Sequence, residues 1–171
     1  MTDMTDQWHR KLALDLGTAG TPAPAPERTD DPAAGLDGTT LLEIAFGRAR
    51  SVFAYALELA LAHRLPATGS VAGDDVWLRL GNARARFTMN RREGLVVVSS
   101  SQAGEVRARW DDARRAIVDL DAEGAPKATV DLEAMARSAV DGIVAEWRAH
   151  PSAAMRLSVH PRDHEDEPTK G

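Results

Sequence analysis

The longest hydrophobic stretch of the chain predicts one helix over residues 40–64. Thr40 followed by Glu43 is a capping-box pattern, which marks a helix start. Leu65-Pro66 marks the end, because the residue before a proline avoids the helical conformation. Apolar residues occupy almost every side of this helix, which is typical of a helix that is buried on two sides. A sheet can cover one side, and we expect the C-terminal helix or a second subunit to cover the other.

Residues after this helix alternate between apolar and polar side chains, a pattern that predicts an antiparallel β-meander. Gly81-Asn82 predicts a two-residue hairpin turn, residues 90–94 predict a second turn, and residues 99–104 predict a loop. Four to five short strands are predicted between these breaks, over residues 76–80, 84–89, 95–98, 105–110 and 115–120.

A second helical pattern begins after Thr129 or Asp131 and ends near Arg148. Its apolar residues predict one inner face, formed by Leu132, Met135, Ala139, Ile143 and Trp147. Because helices and strands do not alternate along the chain, we expect an antiparallel sheet rather than a parallel one. The sequence therefore predicts a compact α+β domain over residues 39–150. It has a long N-terminal helix, a meander and a C-terminal helix, with the helices packed on one face of the sheet.

The two ends of the chain hold few residues that could build a core. Residues 1–38 form an acidic, Pro/Ala-rich tail and residues 151–171 form a polar tail, and both are predicted to be disordered. Within the first tail, the segment 8–16 has three apolar residues at helical spacing, namely Trp8, Leu12 and Leu16. A segment this short is not stable as an isolated helix. It is either disordered or a docking segment that folds onto the domain or onto a partner.

The predicted hairpin turn decides which side chains share a face of the sheet. With Gly81-Asn82 as the turn, Leu80 lies opposite Ala83, and Arg79 lies opposite Arg84. One face then carries five arginines and a tryptophan, namely Trp77, Arg79, Arg84, Arg86, Arg107 and Arg109.

Like charges directly across a ladder are destabilising, so this face favours an anionic neighbour. Within the chain, the candidates are Glu93, Glu105 and the acidic residues of the C-terminal tail, from Asp163 to Glu167. An external acidic partner is another candidate. A solvated surface without a partner is the remaining interpretation.

Charge is distributed unevenly along the 171 residues. The formal net charge is −5, yet residues 76–118 hold nine Lys/Arg against four Asp/Glu. The absence of cysteine excludes disulfides and thiolate sites and favours a reducing compartment. The N-terminus has no secretory signal pattern, and the most apolar stretch is too short and too charged to span a bilayer. We therefore expect a cytoplasmic protein without a membrane partner.

No pattern in the sequence predicts catalysis, a metal site or a cofactor. His160 and His164 have a spacing found in zinc peptidases, but Pro161 argues against the helix that would hold both on one face. The acidic pair Asp111-Asp112 falls at a predicted turn and Asp74-Asp75 in a predicted helix-to-strand connection, and paired carboxylates at such positions are usually solvated. We predict no catalytic residue, no metal ligand and no cofactor.

The two surfaces that lack a neighbour favour a non-enzymatic protein-interaction module, of the adaptor, chaperone or immunity type, that binds an acidic or apolar partner surface. A homodimer through helix 40–64 is part of this prediction. The predicted partner-binding residues are Trp77, Arg79, Arg84, Arg86, Arg107, Arg109, Trp8 and Leu12.

Two other functions stay open. The arginine face predicts nucleic-acid binding as one of them, because guanidinium groups contact phosphates and an exposed tryptophan stacks on a base. The other is small-ligand binding or catalysis in the cleft between helices and sheet.

Overall fold

The computed structural model describes residues 3–17 and 35–150 of the chain, and these form three helices and seven strands. In chain order the elements are α1 (Asp3–Asp15), α2 (Gly38–Ala62), β1 (Ala67–Ser70), β2 (Asp75–Leu80), β3 (Ala83–Asn90), β4 (Leu95–Ser100), β5 (Gly104–Asp111), β6 (Ala116–Leu120), β7 (Pro126–Thr129) and α3 (Leu132–Ala149). The C-terminal tail, with His160, His164 and its acidic residues, lies outside the described residues, as do residues 18–34.

The strands of the described chain form one antiparallel sheet in sequence order, with β1 and β7 at its edges. The α+β class and the antiparallel sheet are confirmed, whereas the predicted count of four to five strands is wrong. The two additional strands are the edge strands, each of four residues. Gly69 in β1 and Pro126 in β7 conceal them in the sequence, because both residue types are depleted in strands.

The register predicted for the first hairpin is confirmed, since Leu80 pairs with Ala83 and Arg79 pairs with Arg84. The predicted loop 99–104 is shorter than expected, because β4 continues to Ser100 and β5 begins at Gly104. The backbone hydrogen bonds between β4 and β5 thus extend beyond the residues whose side chains alternate between apolar and polar.

Helix α2 begins earlier than the capping-box pattern predicts. Its N-cap is Asp37 rather than Thr40, and the Asp37 carboxylate accepts a hydrogen bond from the Thr40 backbone N–H at 2.7 Å. Gly38 follows at a close approach, where a Cβ atom would lie 2.0 Å from Cδ1 of Trp110. The glycine lets the start of α2 pack directly on the ring of Trp110 in β5.

One face of the sheet packs against α2 and α3. Phe53 of α2 meets Phe87 of β3 edge to face, with ring centroids 5.2 Å apart. Helix α3 begins after the N-cap Asp131 and contributes Leu132 and Ile143 to the same buried cluster. The other predicted inner-face residues of α3, Met135, Ala139 and Trp147, are partly buried against this cluster.

Helix α1 forms a third layer on top of α2 and α3. Trp8, Leu12 and Leu16 are buried in the common core, and Leu12 is fully enclosed. The Trp8 indole N–H donates a hydrogen bond to Asp141 of α3 at 3.1 Å, and Arg148 of α3 pairs with Asp15 at 3.1 Å. The segment 8–16 thus lies on the domain of its own chain, and part of the apolar surface of the helix pair is covered within one chain.

Two buried polar side chains meet where α1 packs on α2. His9 is 7% exposed, and its ring lies edge-on against Tyr55 with centroids 4.4 Å apart. Within the described part of the chain, the His9 Nδ1 atom and the Tyr55 hydroxyl have no hydrogen-bond partner. Burial lowers the pKa of His9 below its ordinary value of 6.5 and raises the pKa of Tyr55. Asp6 and Glu133 oppose the shift of His9, while Arg137 adds to it.

We expect the stability of the docked α1 to depend on pH through His9. Because the folded protein binds a proton at His9 less readily than the unfolded chain does, stability is full above pH 6.5 and falls as the pH drops towards the lowered pKa. We expect the melting temperature to fall between pH 7.5 and 5.5, and His9→Phe to reduce this fall. His63→Gln, at the exposed C-cap of α2, is the matched control and should keep the wild-type dependence. An equal pH dependence in all three proteins would contradict the prediction.

No helix within residues 3–17 and 35–150 is long and apolar enough to cross a membrane. The dimer through helix 40–64 stays a prediction. Leu61 is the large α2 side chain that remains exposed, at 54%, whereas Phe46 and Phe53 are buried within the chain.

Candidate protein-binding face

The side of the sheet opposite α2 and α3 carries the predicted arginines, and we call it the basic face. Its exposed members are Arg79, Arg84, Arg86, Arg107 and Arg109, with Trp77 half-buried among them. Their positions follow from strict alternation along β2, β3 and β5, in which the intervening residues point into the core. The sheet therefore brings together the six predicted residues that belong to strands.

The other two predicted residues lie elsewhere. Trp8 and Leu12 are buried in α1, on the helix side of the sheet. Trp8 is 8% exposed and Leu12 is fully buried, so neither is available to a partner while α1 is docked. Their role in this arrangement is to hold α1 in place.

One arginine of the basic face is neutralised within the chain. Asp75 accepts two hydrogen bonds from Arg86, from Nε at 2.6 Å and from Nη2 at 2.8 Å. The guanidinium group holds the pKa of the Asp75 carboxyl below its ordinary value. Neither Glu93 nor Glu105 forms an ion pair with an arginine of the face among the described residues. The ion pair with Arg86 comes instead from Asp75, the first residue of β2.

The neighbouring carboxylate is also occupied. Arg91, in the turn after β3, binds Asp74 through Nε at 2.7 Å and also pairs with Glu43 of α2. The hydrogen bonds from Arg91 hold the pKa of the Asp74 carboxyl below its ordinary value. The acidic pair Asp74-Asp75 is therefore held by ion pairs that link β2, β3 and α2, rather than being the solvated pair expected in the helix-to-strand connection.

Arg79 and Arg84 are directly opposed on β2 and β3 and form no ion pair with any carboxylate in the described chain. The Arg79 Nε–H donates a hydrogen bond to the backbone oxygen of Gly81 at 2.7 Å. This bond holds the Nε atom in place and leaves the two Nη groups of Arg79 available. A depression of about 300 Å³ opens between the two arginines. Its remaining lining residues are Asn82, Ser99, Ser100 and Ser101. We call it the serine–arginine pocket.

Arg107 and Arg109 stand among aliphatic residues. Arg107 lies between Val97 and Leu120 across the strands, and Arg109 lies between Leu95 and Val118. These two arginines also have no ion-pair partner among the described residues. Leu95 and Val118 are buried without belonging to the helix-side core. This end of the basic face combines positive charge with an apolar floor.

The cleft between the helices and the sheet offers little for catalysis. A depression of about 210 Å³ lies between α3 and the β4–β5 turn, and no acidic, basic or histidine side chain lines it. Among the described residues, no group of three or more His, Asp or Glu side chains is placed to hold a metal ion. This depression therefore offers no titratable side chain for acid–base chemistry.

The basic face thus combines positive charge with exposure to solvent. Known proteins give no independent guide to its function. No protein family, curated protein or solved structure matches this chain.

Proposed function

We propose that the protein is a non-enzymatic interaction module whose basic face binds an acidic surface of a partner protein. The observation that carries the proposal is the set of four exposed arginines, Arg79, Arg84, Arg107 and Arg109, that have no carboxylate partner in the described chain. Arg86, on the same face, and Arg91, Arg114, Arg137 and Arg148 elsewhere pair with nearby carboxylates. Other exposed arginines, such as Arg64 and Arg92, also have no carboxylate partner among the described residues. The four differ from these because they stand together on one face of the sheet, and this clustering favours an external anionic partner.

The apolar floor around Arg107 and Arg109 favours a protein over a nucleic acid. Phosphate contacts need exposed cations and bases need aromatic platforms. Val97 and Leu120 provide neither, and Trp77 is the single aromatic residue among the basic-face positions. Side chains on one face of a strand recur every second residue, so a protein segment matches both components of this surface when every second side chain is in turn acidic and aliphatic.

A fluorescently labelled peptide with the repeat Glu-Ser-Leu-Ser, which places glutamate and leucine on one face of an extended chain, tests the proposal. We expect saturable binding at low salt, weakened about tenfold or more by the double variant Arg107→Glu/Arg109→Glu. Such a loss corresponds to about 1.4 kcal/mol, and it is expected because two attractive pairs become repulsive ones. Arg86 is not a useful target, since its replacement would leave Asp75 without its partner.

Arg10→Glu/Arg64→Glu is the matched control, because it makes the same charge change at exposed positions on the helix side. It should bind the peptide within about twofold of wild type. Equal weakening in both double variants would indicate charge attraction without a defined site. Tighter binding of a single-stranded DNA oligonucleotide than of the peptide would favour the nucleic-acid function, and no binding of either probe at low salt would contradict both.

A further inference from the structure

The serine–arginine pocket differs from the rest of the basic face in its geometry. Arg79 and Arg84 are directly opposed, so their Cβ atoms are about 5 Å apart and their positive charges repel. Three consecutive serines close the pocket on the side of β4. We propose that this pocket binds the phosphate group of a phosphorylated residue in the acidic partner, an inference that rests on the proposed function.

The donors that remain free in the pocket suit an oxyanion. The Arg79 Nε–H is engaged by Gly81, which leaves its Nη groups, and Arg84 keeps its whole guanidinium. Ser99 pairs with Arg86 and lies on the basic face, and its hydroxyl forms no hydrogen bond among the described residues, so it is able to donate. Ser100 pairs with the buried Ala85 and belongs to the helix side, where its Oγ atom accepts from the Ala103 backbone N–H at 2.9 Å.

Ser101 has a different task. Its hydroxyl donates to Glu146 of α3 at 2.8 Å and accepts from the Arg84 backbone N–H at 3.3 Å. This bridge ties the end of β4 to α3 and fixes the position of the serine run relative to Arg84. Ser101 is thus a positioning residue for the pocket. The Glu146 carboxylate, in turn, is occupied by the Ser101 hydroxyl.

The number of donors favours phosphate over a carboxylate. A carboxylate is satisfied by one guanidinium in a planar, bidentate contact. Two guanidinium groups with one hydroxyl exceed that capacity, whereas a phosphate monoester offers three oxygens and a charge between about −1.5 and −2. The second negative charge also offsets the repulsion between Arg79 and Arg84.

The pocket and the apolar end of the face also set a spacing for the ligand. Arg84 and Arg107 are separated by four residues along the strands and by two strands across the sheet. At about 3.3 Å per residue and about 4.8 Å per strand, this is a diagonal of about 16 Å. An extended chain covers that distance in about five residues. Both side chains must also lie on the same face of the extended chain, which needs an even separation. We therefore expect the partner to carry an acidic residue four positions from the phosphorylated one.

Three labelled peptides test the inference, with serine, glutamate or phosphoserine at one position and glutamate four positions further on. The expected result is that the phosphoserine peptide binds the wild-type protein at least about tenfold more tightly than the glutamate peptide. Arg79→Ala/Arg84→Ala should bring that ratio close to one. Arg107→Ala should weaken all three peptides alike and leave the ratio unchanged.

Equal affinity for the phosphoserine and glutamate peptides, or a ratio that survives in Arg79→Ala/Arg84→Ala, would overturn the pocket while leaving the proposed function intact. Failure of all three peptides to bind would overturn the proposed function instead. Inorganic phosphate separates the two sources of the anion. If it shifts the amide resonances of Ser99–Ser101 in wild type but the phosphoserine peptide does not bind, a free phosphate is the ligand and the phosphopeptide inference is wrong. Circular dichroism of each variant checks that these exposed substitutions leave the fold unchanged.

Discussion

Replacement of Phe53 by alanine is expected to lower the free energy of unfolding by about 3–5 kcal/mol. Phe53 is fully buried between α2 and the sheet, and its edge-to-face contact with Phe87 is lost with the ring. Domains of this size are stable by about 5–15 kcal/mol, so the substitution removes a large share of the total. Urea unfolding, followed by circular dichroism, measures the effect as a shift of the midpoint at an unchanged slope.

Leu61→Ala is the control for Phe53→Ala, because Leu61 lies on the same helix and is 54% exposed. Its effect should stay within about 0.5 kcal/mol. Phe53→Leu keeps the measurement possible if the alanine variant does not fold, and its loss should be smaller than that of alanine. A loss below about 1 kcal/mol for Phe53→Ala would contradict the packing of α2 on the sheet.

Replacement of Leu12 by alanine is expected to release α1 while α2, α3 and the sheet stay folded. Leu12 is fully buried, and truncation of a buried leucine costs about 2–5 kcal/mol. Helix α1 has 13 residues, which is marginal for a helix in isolation, so an undocked α1 unfolds. Amide hydrogen exchange should therefore accelerate by about 30-fold or more across α1, with little change in β3 and β4.

Leu14→Ala serves as the comparison for Leu12→Ala. Leu14 lies in the same helix and is 73% exposed, so its removal should leave the exchange rates nearly unchanged. If the two variants accelerate exchange equally, or if both destabilise the whole domain to the same extent, the docking of α1 as a separate layer is wrong.

Local patterns were sufficient to predict the central part of this fold. Strict alternation from residue 76 to 89 around Gly81-Asn82 determines both the hairpin and the face on which Arg79 and Arg84 lie. The same logic placed Arg107 and Arg109 on that face. Strands β1 and β7 were not predicted, because four residues are too few to show a periodic pattern.

Contacts between distant residues were not predictable in the same way. The partner of Arg86 is Asp75, which is one residue before the predicted start of the strand. Extending the hairpin register by one pair would have placed Asp75 opposite Thr88, diagonally beside Arg86, so a usable signal was present. The buried pair of His9 and Tyr55 had no such signal, because it depends on where α1 packs across a long stretch of intervening chain.

The short strands at the two edges of the sheet, β1 and β7, have a consequence for self-association of the protein. An open sheet exposes unpaired backbone groups at its two outermost strands, and such edges are templates for fibril growth. Here both edges are four residues long, and β7 adds Pro126, which has no N–H to donate, and the exposed charge of Lys127. An approaching strand finds too few consecutive partners to prolong the sheet. The protein is therefore expected to stay free of amyloid-like assembly at high concentration, and recognition falls to its side chains rather than to its backbone.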